Sequence, residues 1–212
     1  MKVAIIGATG RAGKRLTDEA LSRGHEVIAV ARGAASLGSR ENLTTAAIDM
    51  NDTDALASAL VGAEAVLYSY RASEELDRIK VTAELTKSAL DAVQRAHVHR
   101  FLIVGGAGSL EVAPGKLNVD QPGFPDSSKP TAVATMNIYK SAQQVPGLQV
   151  TYMCPTGRFF EGERTGKFRV GGTAILKDAE GNASISFEDF AVAMIDELES
   201  PKHTGEKVAV GY

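Results

Sequence analysis

The sequence of 212 residues lacks features that several large classes of protein depend on. Its single cysteine, Cys154, excludes an intramolecular disulfide. It contains no basic run and its formal net charge is −3, so we expect no nucleic acid partner. No apolar stretch approaches membrane-spanning length, and Met1-Lys2 leads directly into an apolar run without a signal peptide. No cluster of side chains has metal-ligand spacing. We therefore expect a cytoplasmic protein with no membrane partner and no metal site.

The composition is sufficient for a folded core. Hydrophobic residues make up 44% of the chain and charged residues 23%, which is typical of globular domains and not of disordered chains. The length suits one large α/β domain, and we find no internal repeat and no linker between independent units. We interpret residues 1–212 as a single domain, with a small substrate-side insertion or C-terminal lobe over residues 156–186.

The most informative segment is at the start of the chain. An apolar run ends at Gly7, glycine recurs at Gly10 and Gly13, and a helical pattern of apolar residues follows. A strand, a glycine turn and a helix in this order form a binding site for a dinucleotide pyrophosphate. The alternative is a tight turn that binds nothing. The predicted pyrophosphate ligands are Gly7, Thr9, Gly10, Arg11 and Ala12. In this motif the first glycine turns the chain, the second lets the backbone approach the phosphates, and the third, Gly13, completes the cofactor site by letting the helix and strand pack closely.

Arg32 suggests which dinucleotide is bound. The second apolar run, residues 26–31, ends at this residue, where an acidic side chain would bind the ribose of NAD. An arginine suits a 2′-phosphate instead, because guanidinium groups bind phosphate in bidentate fashion. NADP(H) is therefore favoured over NAD(H). The alternative is that Arg32 is a solvated loop residue.

Strand and helix patterns alternate along the rest of the chain, which predicts a parallel sheet covered on both faces. We expect an α/β fold with a doubly wound sheet in strand order 3-2-1-4-5-6 and the ligand at the carboxyl ends of the strands. The predicted strands are residues 3–6, 26–31, 45–48, 65–68, 101–104 and 150–153, and the predicted helices include residues 53–60, 73–96 and 187–199.

Several side chains at these carboxyl ends are candidates for the site. Asp49 and Met50 follow the third strand, where they could meet the adenine, although capping and core packing explain them equally well. Of Tyr68, Ser69 and Tyr70, at least one is expected beside the cofactor. The glycine-rich stretch after the fifth strand leaves room for a flat ring, and Ser109 could bind the nicotinamide or a substrate. The predicted nicotinamide neighbours are Gly105, Gly106, Ser109 and Pro155, with Ser109 as the catalytic candidate.

The glycine spacing, with Ala8-Thr9 between the first two glycines, resembles the extended and atypical short-chain dehydrogenases/reductases. The stretches at residues 105–115, 162–166 and 185–199 are similar to those of an NAD(P)H-flavin reductase family within that group. This resemblance covers nearly the whole chain. It implies a Rossmann core, a nicotinamide cofactor and a flavin, FMN or FAD, as the molecule that is reduced.

One departure from the wider superfamily affects the mechanism. Typical short-chain dehydrogenases reduce carbonyls with a Tyr-x-x-x-Lys pair, whereas here Tyr139 is followed four residues on by Gln143. Carbonyl reduction by that route is not expected, and neither is epimerase or dehydratase chemistry on a nucleotide sugar. A flavin or quinone needs no such acid. We predict an NAD(P)H-dependent reductase of a flat small-molecule acceptor, or alternatively a non-catalytic NADP(H)-sensing regulatory protein, and leave the oligomeric state open.

The segment over residues 156–186 is expected to form the substrate side. Phe159 and Phe160 could stack on a flavin ring, although such a pair is more often core. The basic side chains of this segment could attract an anionic phosphate; they are Arg158, Arg164 and Lys167. The alternative is that they lie on the solvated surface and pair with Glu161 and Glu163.

Overall fold

The computed structural model describes residues 1–71 and 77–212. The described strands are β1 (Lys2–Ile6), β2 (Glu26–Val30), β3 (Leu43–Ala46), β4 (Ala65–Tyr68), β5 (Arg100–Val104), β6 (Glu111–Ala113), β7 (Lys116–Leu117), β8 (Gln149–Pro155), β9 (Arg158–Phe160), β10 (Arg169–Val170), β11 (Ser184–Ser186) and β12 (Lys207–Gly211). The described α-helices are α1 (Arg11–Ser22), α2 (Thr53–Leu60), α3 (Arg78–Arg95), α4 (Lys129–Gln143) and α5 (Phe187–Glu199). None of these helices is both long and apolar enough to cross a membrane.

A sheet of eight strands forms the centre of the fold, in the order β10-β12-β8-β5-β4-β1-β2-β3. Neighbouring strands are parallel except at the edge, where β10 runs antiparallel to β12. The six strands predicted from the sequence correspond to β1 to β5 and β8, and their expected order 3-2-1-4-5-6 is confirmed. The doubly wound α/β fold is confirmed with it, and β12 and β10 extend it at one edge.

Helices cover both faces of the sheet because residues on each strand alternate between the two faces. In β1, Ala4 and Ile6 join the core cluster that contains α2, α3 and α4, whereas Val3 and Ile5 join the cluster that contains α1 and α5. Because both faces of the sheet are buried, each strand is a continuous apolar run in the sequence. This explains why the strands were recognisable from the sequence.

Some predicted boundaries were wrong. The third strand begins at Leu43 and ends at Ala46, earlier than the predicted 45–48, because Asn42 turns the chain with a φ of 59° and Leu43 then pairs with Val27. The predicted helix over 73–96 is α3, which begins at Arg78, where the carboxylate of Asp77 accepts a hydrogen bond from the backbone N–H of Lys80. The predicted residues 73–76 lie outside the described residues. Sequence analysis did not predict β12.

Candidate cofactor site

The glycine turn lies where the carboxyl ends of β1, β2 and β4 meet. Gly7 has a φ of +85° and donates its N–H to the carbonyl of Val30 at 2.9 Å, which joins the turn to β2. A Cβ atom at Gly7 would lie 2.8 Å from the carbonyl carbon of Ser69, directly after β4. Glycine is therefore required here by both conformation and space. Ser69, a predicted cofactor neighbour, lies against the turn.

The other two glycines have different surroundings. A Cβ atom at Gly13 would lie 2.1 Å from the carbonyl oxygen of Gly7, so this glycine is what allows α1 to pack so closely on the turn. A Cβ atom at Gly10 would have one neighbour within 4 Å, the carbonyl oxygen of Gly7 at 3.2 Å. The chain thus leaves space beside Gly10. Two glycines serve the packing of the turn, and the middle one borders an opening.

The start of α1 presents to that opening N–H groups that have no acceptor in the described part of the chain. Gly10 caps the helix without a side-chain hydrogen bond, and no acidic residue lies in the first turn. The N–H of Lys14 is the first to bond within the helix, to the carbonyl of Gly10 at 2.9 Å. The N–H groups of Arg11, Ala12 and Gly13 therefore have no acceptor within the helix. Such a helix start suits an anion, and Thr9 lies in the turn just before it.

Arg11 places a positive charge at the same helix start. Its side chain is exposed, and its guanidinium carbon lies 5.1 Å from the ring centre of Phe187 at the start of α5. The guanidinium makes no hydrogen bond or ion pair within the described part of the chain. Phe187 thus supports an arginine that has no carboxylate partner, a role that sequence analysis missed.

Arg32 lies two residues after β2 and is exposed. Among residues 1–71 and 77–212 its guanidinium has no hydrogen-bond or ion-pair partner. It is nevertheless close enough to Asp49 and Tyr70 to affect both. The backbone N–H of Asn51, and to a smaller extent Arg32, lower the pKa of Asp49. Burial raises the pKa of Tyr70, and Arg32 opposes that rise. The strand ends therefore bring together a cation, a carboxylate and a phenol ring.

Two of the predicted cofactor neighbours present little of their side chains. The Tyr68 ring is 1% exposed, packs on Phe101, and places its hydroxyl 3.5 Å from that of Thr86. Met50 is 7% exposed and belongs to the core cluster. Contact with a cofactor through these side chains would require repacking. Tyr70 is half-buried and is the tyrosine of this segment that remains accessible.

The turn after β5 contains the predicted nicotinamide neighbours. A Cβ atom at Gly105 would lie 2.7 Å from both the Cys154 sulfur and the Tyr152 ring, whereas one at Gly106 would meet nothing within 4 Å. Ser109 is 2% exposed, and its hydroxyl donates to the carbonyl of Gly106 at 2.7 Å. The Ser109 hydroxyl is thus already used to hold the turn together. Open space lies at Gly106.

Pro155 and Cys154 end β8 beside this turn, and both are buried. The Cys154 sulfur lies 3.2 Å from the Ser109 hydroxyl oxygen. Burial raises the pKa of Cys154 to about 11, which keeps it a thiol at neutral pH. Cys154 is thus an inert thiol of the core.

The segment over residues 156–186 packs against α1 and α5. Phe159 contacts Phe187 and Phe190 at ring distances of 4.1 and 5.0 Å, so it is a core residue. Arg158 lies over the ring of its neighbour Phe160. Arg164 makes two hydrogen bonds, of 2.7 and 2.8 Å, to the carboxylate of Glu19 in α1. The alternative in which Arg164 pairs with Glu161 or Glu163 is not what the structure shows, because the buried Glu19 takes that place.

Two carboxylates of α5 fix the same segment, which sequence analysis missed. The buried Asp189 accepts hydrogen bonds from the backbone N–H groups of Thr165 and Gly166, at 2.7 and 2.8 Å. Glu188 accepts from the N–H of Gly162 at 2.8 Å and from Arg15 at 2.9 Å. Ser186 is the N-cap of α5, because its hydroxyl accepts a hydrogen bond from the N–H of Asp189. The sequence gives no sign that the acidic residues after this cap bind a distant loop.

Tyr139, where a catalytic tyrosine would be sought, faces another direction. Its hydroxyl donates to the carbonyl of Gly205 at 3.1 Å, and its ring stacks on Tyr152 at 4.8 Å. Gly205 precedes the first residue of β12, at the amino ends of the parallel strands, whereas Gly106 and Pro155 lie at their carboxyl ends. The Tyr139 hydroxyl is therefore bonded at the opposite ends of the strands from the turn that would hold a nicotinamide.

The fold and this site define a dinucleotide-binding protein of the Rossmann class. The chain matches the NAD(P)H-binding family over residues 7–201 and belongs to that family. It is 34% identical to the uncharacterised protein YwnB of Bacillus subtilis strain 168, covering 99% of this chain and 98% of YwnB.

Two solved structures extend the comparison. A protein from Bacteroides thetaiotaomicron, provisionally named an epimerase, is 36% identical with a TM-score of 0.90, covering 100% of this chain and 96% of the other. A protein from Streptococcus pneumoniae TIGR4, provisionally named an NADH-flavin reductase, is 29% identical with a TM-score of 0.86, covering 100% and 99%. The resemblance recognised in the sequence is confirmed at the level of the NAD(P)H-binding family.

Proposed function

We propose that this protein is an NADP(H)-dependent oxidoreductase that reduces a flat acceptor, such as a flavin or a quinone. The observation that carries the proposal is the state of Arg32. It is exposed beside Asp49 and Tyr70, at the strand ends around the glycine turn, and no carboxylate of the described chain forms a direct ion pair with it. A guanidinium in this position suits the 2′-phosphate that distinguishes NADP(H) from NAD(H). The name of the pneumococcal relative supports a flavin as acceptor.

The residues present fit such a cofactor. The opening at Gly10 and the unpaired N–H groups of Arg11, Ala12 and Gly13 would hold the pyrophosphate, assisted by the Arg11 side chain. Asp49 and Tyr70 would flank the adenosine, and the open face of Gly106 would border the nicotinamide. When bound, the cofactor would supply the hydride.

The chain's own contribution is to position the reactants. The Ser109 hydroxyl fixes the carbonyl of Gly106 and hence the turn on which the ring would rest. The buried Cys154 stays protonated and offers no nucleophile. We therefore attribute catalysis to the placement of donor and acceptor, which can contribute several kcal/mol, on the order of 7–11 in favourable cases, without an acid or base.

The test is the substitution Arg32→Asp, followed by calorimetric titration with NADPH and NADH. A lost charge-assisted phosphate contact costs ~1.5–3 kcal/mol, so NADPH should weaken by at least about tenfold. NADH should change much less. The matched control is Arg95→Asp, the same charge change on an exposed arginine at the far end of α3. Equal losses for both cofactors, or none, would show that Arg32 does not bind the 2′-phosphate.

A regulatory NADP(H)-binding role is the second candidate. It fits the burial of Ser109 and the bond from Tyr139 to Gly205 as well as the reductase does, since neither hydroxyl is placed to transfer a proton. Steady oxidation of NADPH on addition of FMN or riboflavin would support the enzyme. Tight NADPH binding without turnover, together with a protein that co-purifies, would support the regulator. Location in the cytoplasm stays a prediction under either reading.

A further inference from the structure

A groove of about 670 Å³ lies on the α4 face of the sheet, a volume typical of small-molecule pockets. One wall is α4, the other is the chain over residues 109–120, and β8 and β12 contribute Tyr152 and Lys207 from the sheet. Of the residues in our cofactor proposal only Ser109 lines it; the glycine turn, Arg32 and Gly106 do not. The groove is therefore a candidate site beside the proposed cofactor turn.

The inner surface of the groove is apolar and partly aromatic. Met136 and Val133 line it from α4, and Val119 lines it from the opposite wall. The ring of Tyr139 stacks on that of Tyr152 with an angle of 11° between the planes, and Tyr139 is only half-buried. A flat ring could lie against these surfaces and exclude water from them.

A buried polar atom in the lining has no partner. Tyr152 is 1% exposed, and its hydroxyl makes no hydrogen bond with any described residue. Buried tyrosine hydroxyls are normally hydrogen-bonded, and one left unpaired destabilises the folded chain. The hydroxyl lies beside Ser109, Cys154 and Gly106 with no surface open to the groove, so a ligand in the groove does not reach it.

The charges around the groove favour an anion. Lys140 is exposed, and its ammonium group has no hydrogen-bond or ion-pair partner within residues 1–71 and 77–212. Lys207 donates one hydrogen bond, to the carbonyl of Ser109 at 2.7 Å, and retains further donors. Lys129 is paired with Asp126, which lies outside the groove. Against these lysines the lining contains a single carboxylate, Asp120.

We propose that the groove binds a small aromatic anion. Its ring lies against Met136 and Tyr139, and its negative group pairs with Lys140 and Lys207. The site does not depend on a nicotinamide cofactor. It can therefore fail without affecting the proposed reductase activity, and the reverse is equally true.

The probe is 2-naphthoate, with the uncharged 2-naphthalenemethanol as its matched partner. Binding to the full chain is measured by calorimetry and by NMR of methionine methyl groups, with Met136 assigned through Met136→Leu. We expect naphthoate to shift the Met136 signal and to leave that of the buried Met194 unchanged. Lys140→Gln should weaken naphthoate about five- to tenfold and leave the alcohol unchanged, whereas Lys80→Gln on α3 should affect neither.

Tyr152→Phe provides an independent measurement. Removing the unpaired hydroxyl should raise the melting temperature of the free protein and, because this hydroxyl does not reach the groove, leave naphthoate affinity unchanged. The proposal is overturned if millimolar naphthoate does not shift Met136, or if Lys140→Gln weakens both probes equally. It is also overturned if sedimentation shows a dimer that Met136→Glu dissociates, because a second chain would then fill the groove.

Discussion

The arginines of two regions of this molecule differ in whether they are paired with carboxylates. Around the glycine turn, Arg11 and Arg32 are exposed and make no ion pair with the described chain. Where α1 meets the 156–186 segment, Arg15, Arg23 and Arg164 are all paired with carboxylates. Nothing in the sequence distinguishes the two groups. In the folded chain the first group has no carboxylate within bonding distance among the described residues, whereas each arginine of the second group contacts at least one.

The difference teaches where the positive charge of this protein is available to a ligand. Arg164 was a candidate for binding a flavin phosphate, yet both oxygens of Glu19 already occupy its guanidinium. Arg23 shares Glu19 and also contacts Asp196 and Glu199. These arginines hold α1, α5 and the segment over residues 156–186 together. The unpaired arginines at the turn remain the candidates for phosphate binding.

The largest effect should come from Gly10→Val, which tests the binding side of this comparison. The valine side chain would fill the opening beside the unpaired N–H groups of α1, so we expect cofactor affinity to fall at least about a hundredfold. The fold should be kept, because a Cβ atom here meets one backbone oxygen at 3.2 Å and nothing closer. Calorimetry with NADPH measures the first effect and thermal unfolding the second.

Gly13→Ala is the contrasting variant at the same turn. Its Cβ atom would lie 2.1 Å from the carbonyl oxygen of Gly7, so it should lower the free energy of unfolding, by ~1–3 kcal/mol for overpacking of this kind. If Gly10→Val bound NADPH with nearly unchanged affinity, the opening would not be the pyrophosphate site.

The features that could be predicted from the sequence are those that depend on local patterns. The strands from β1 to β8 and the glycine turn are specified locally, by apolar runs and glycine spacing that need no distant partner. Hence the strand order and the different surroundings of Gly7, Gly10 and Gly13 followed the expected pattern. Even β12 has a local sign, the apolar residues Val208 to Val210, which sequence analysis passed over.

The features that could not be predicted from the sequence depend on contacts between distant residues. Glu19 and Arg164 are 145 positions apart, and Asp189 binds a loop 23 to 24 positions before it. Nothing in the spacing of these residues indicates that they meet. Likewise, the burial of Ser109 could not be read from a loop rich in glycine, because Cys154 and Lys207, which contact it, come from β8 and β12.

The next largest effect should come from Glu19→Gln, which breaks the paired region. Glu19 is 6% exposed and accepts from two arginines, so its loss removes the partner of Arg164 and one of the three carboxylate partners of Arg23. We expect the free energy of unfolding to fall by about 2 kcal/mol, below the 3–5 typical of fully buried pairs because Arg164 is half exposed. Denaturant unfolding at pH 7 measures this, and NADPH affinity should not change.

The same variant has a defined pH dependence. Hydrogen bonds from Arg164 lower the pKa of Glu19 below its ordinary value of 4.5, so the folded chain holds this carboxylate ionised where the unfolded chain protonates it. The contribution of Glu19 is therefore complete above that ordinary value and is lost as the pH falls through the lowered pKa. The stability gap between wild type and Glu19→Gln should narrow in acid. A constant gap would mean that the charge of Glu19 is not what stabilises the region.

The smallest effects should come from the tyrosines, if placement alone accounts for hydride transfer. Phenylalanine at Tyr68, Tyr70 or Tyr139 should each leave turnover within about tenfold, since a positioned acid or base contributes 10²–10⁴-fold. Ser109→Ala should matter somewhat more, because its hydroxyl holds the Gly106 carbonyl and small displacements of a reacting ring are costly. Stopped-flow oxidation of NADPH by FMN, at saturating cofactor, compares the variants. A thousandfold loss in one tyrosine variant with unchanged NADPH affinity would show that a phenol transfers a proton, and would restore carbonyl reduction as the function to test.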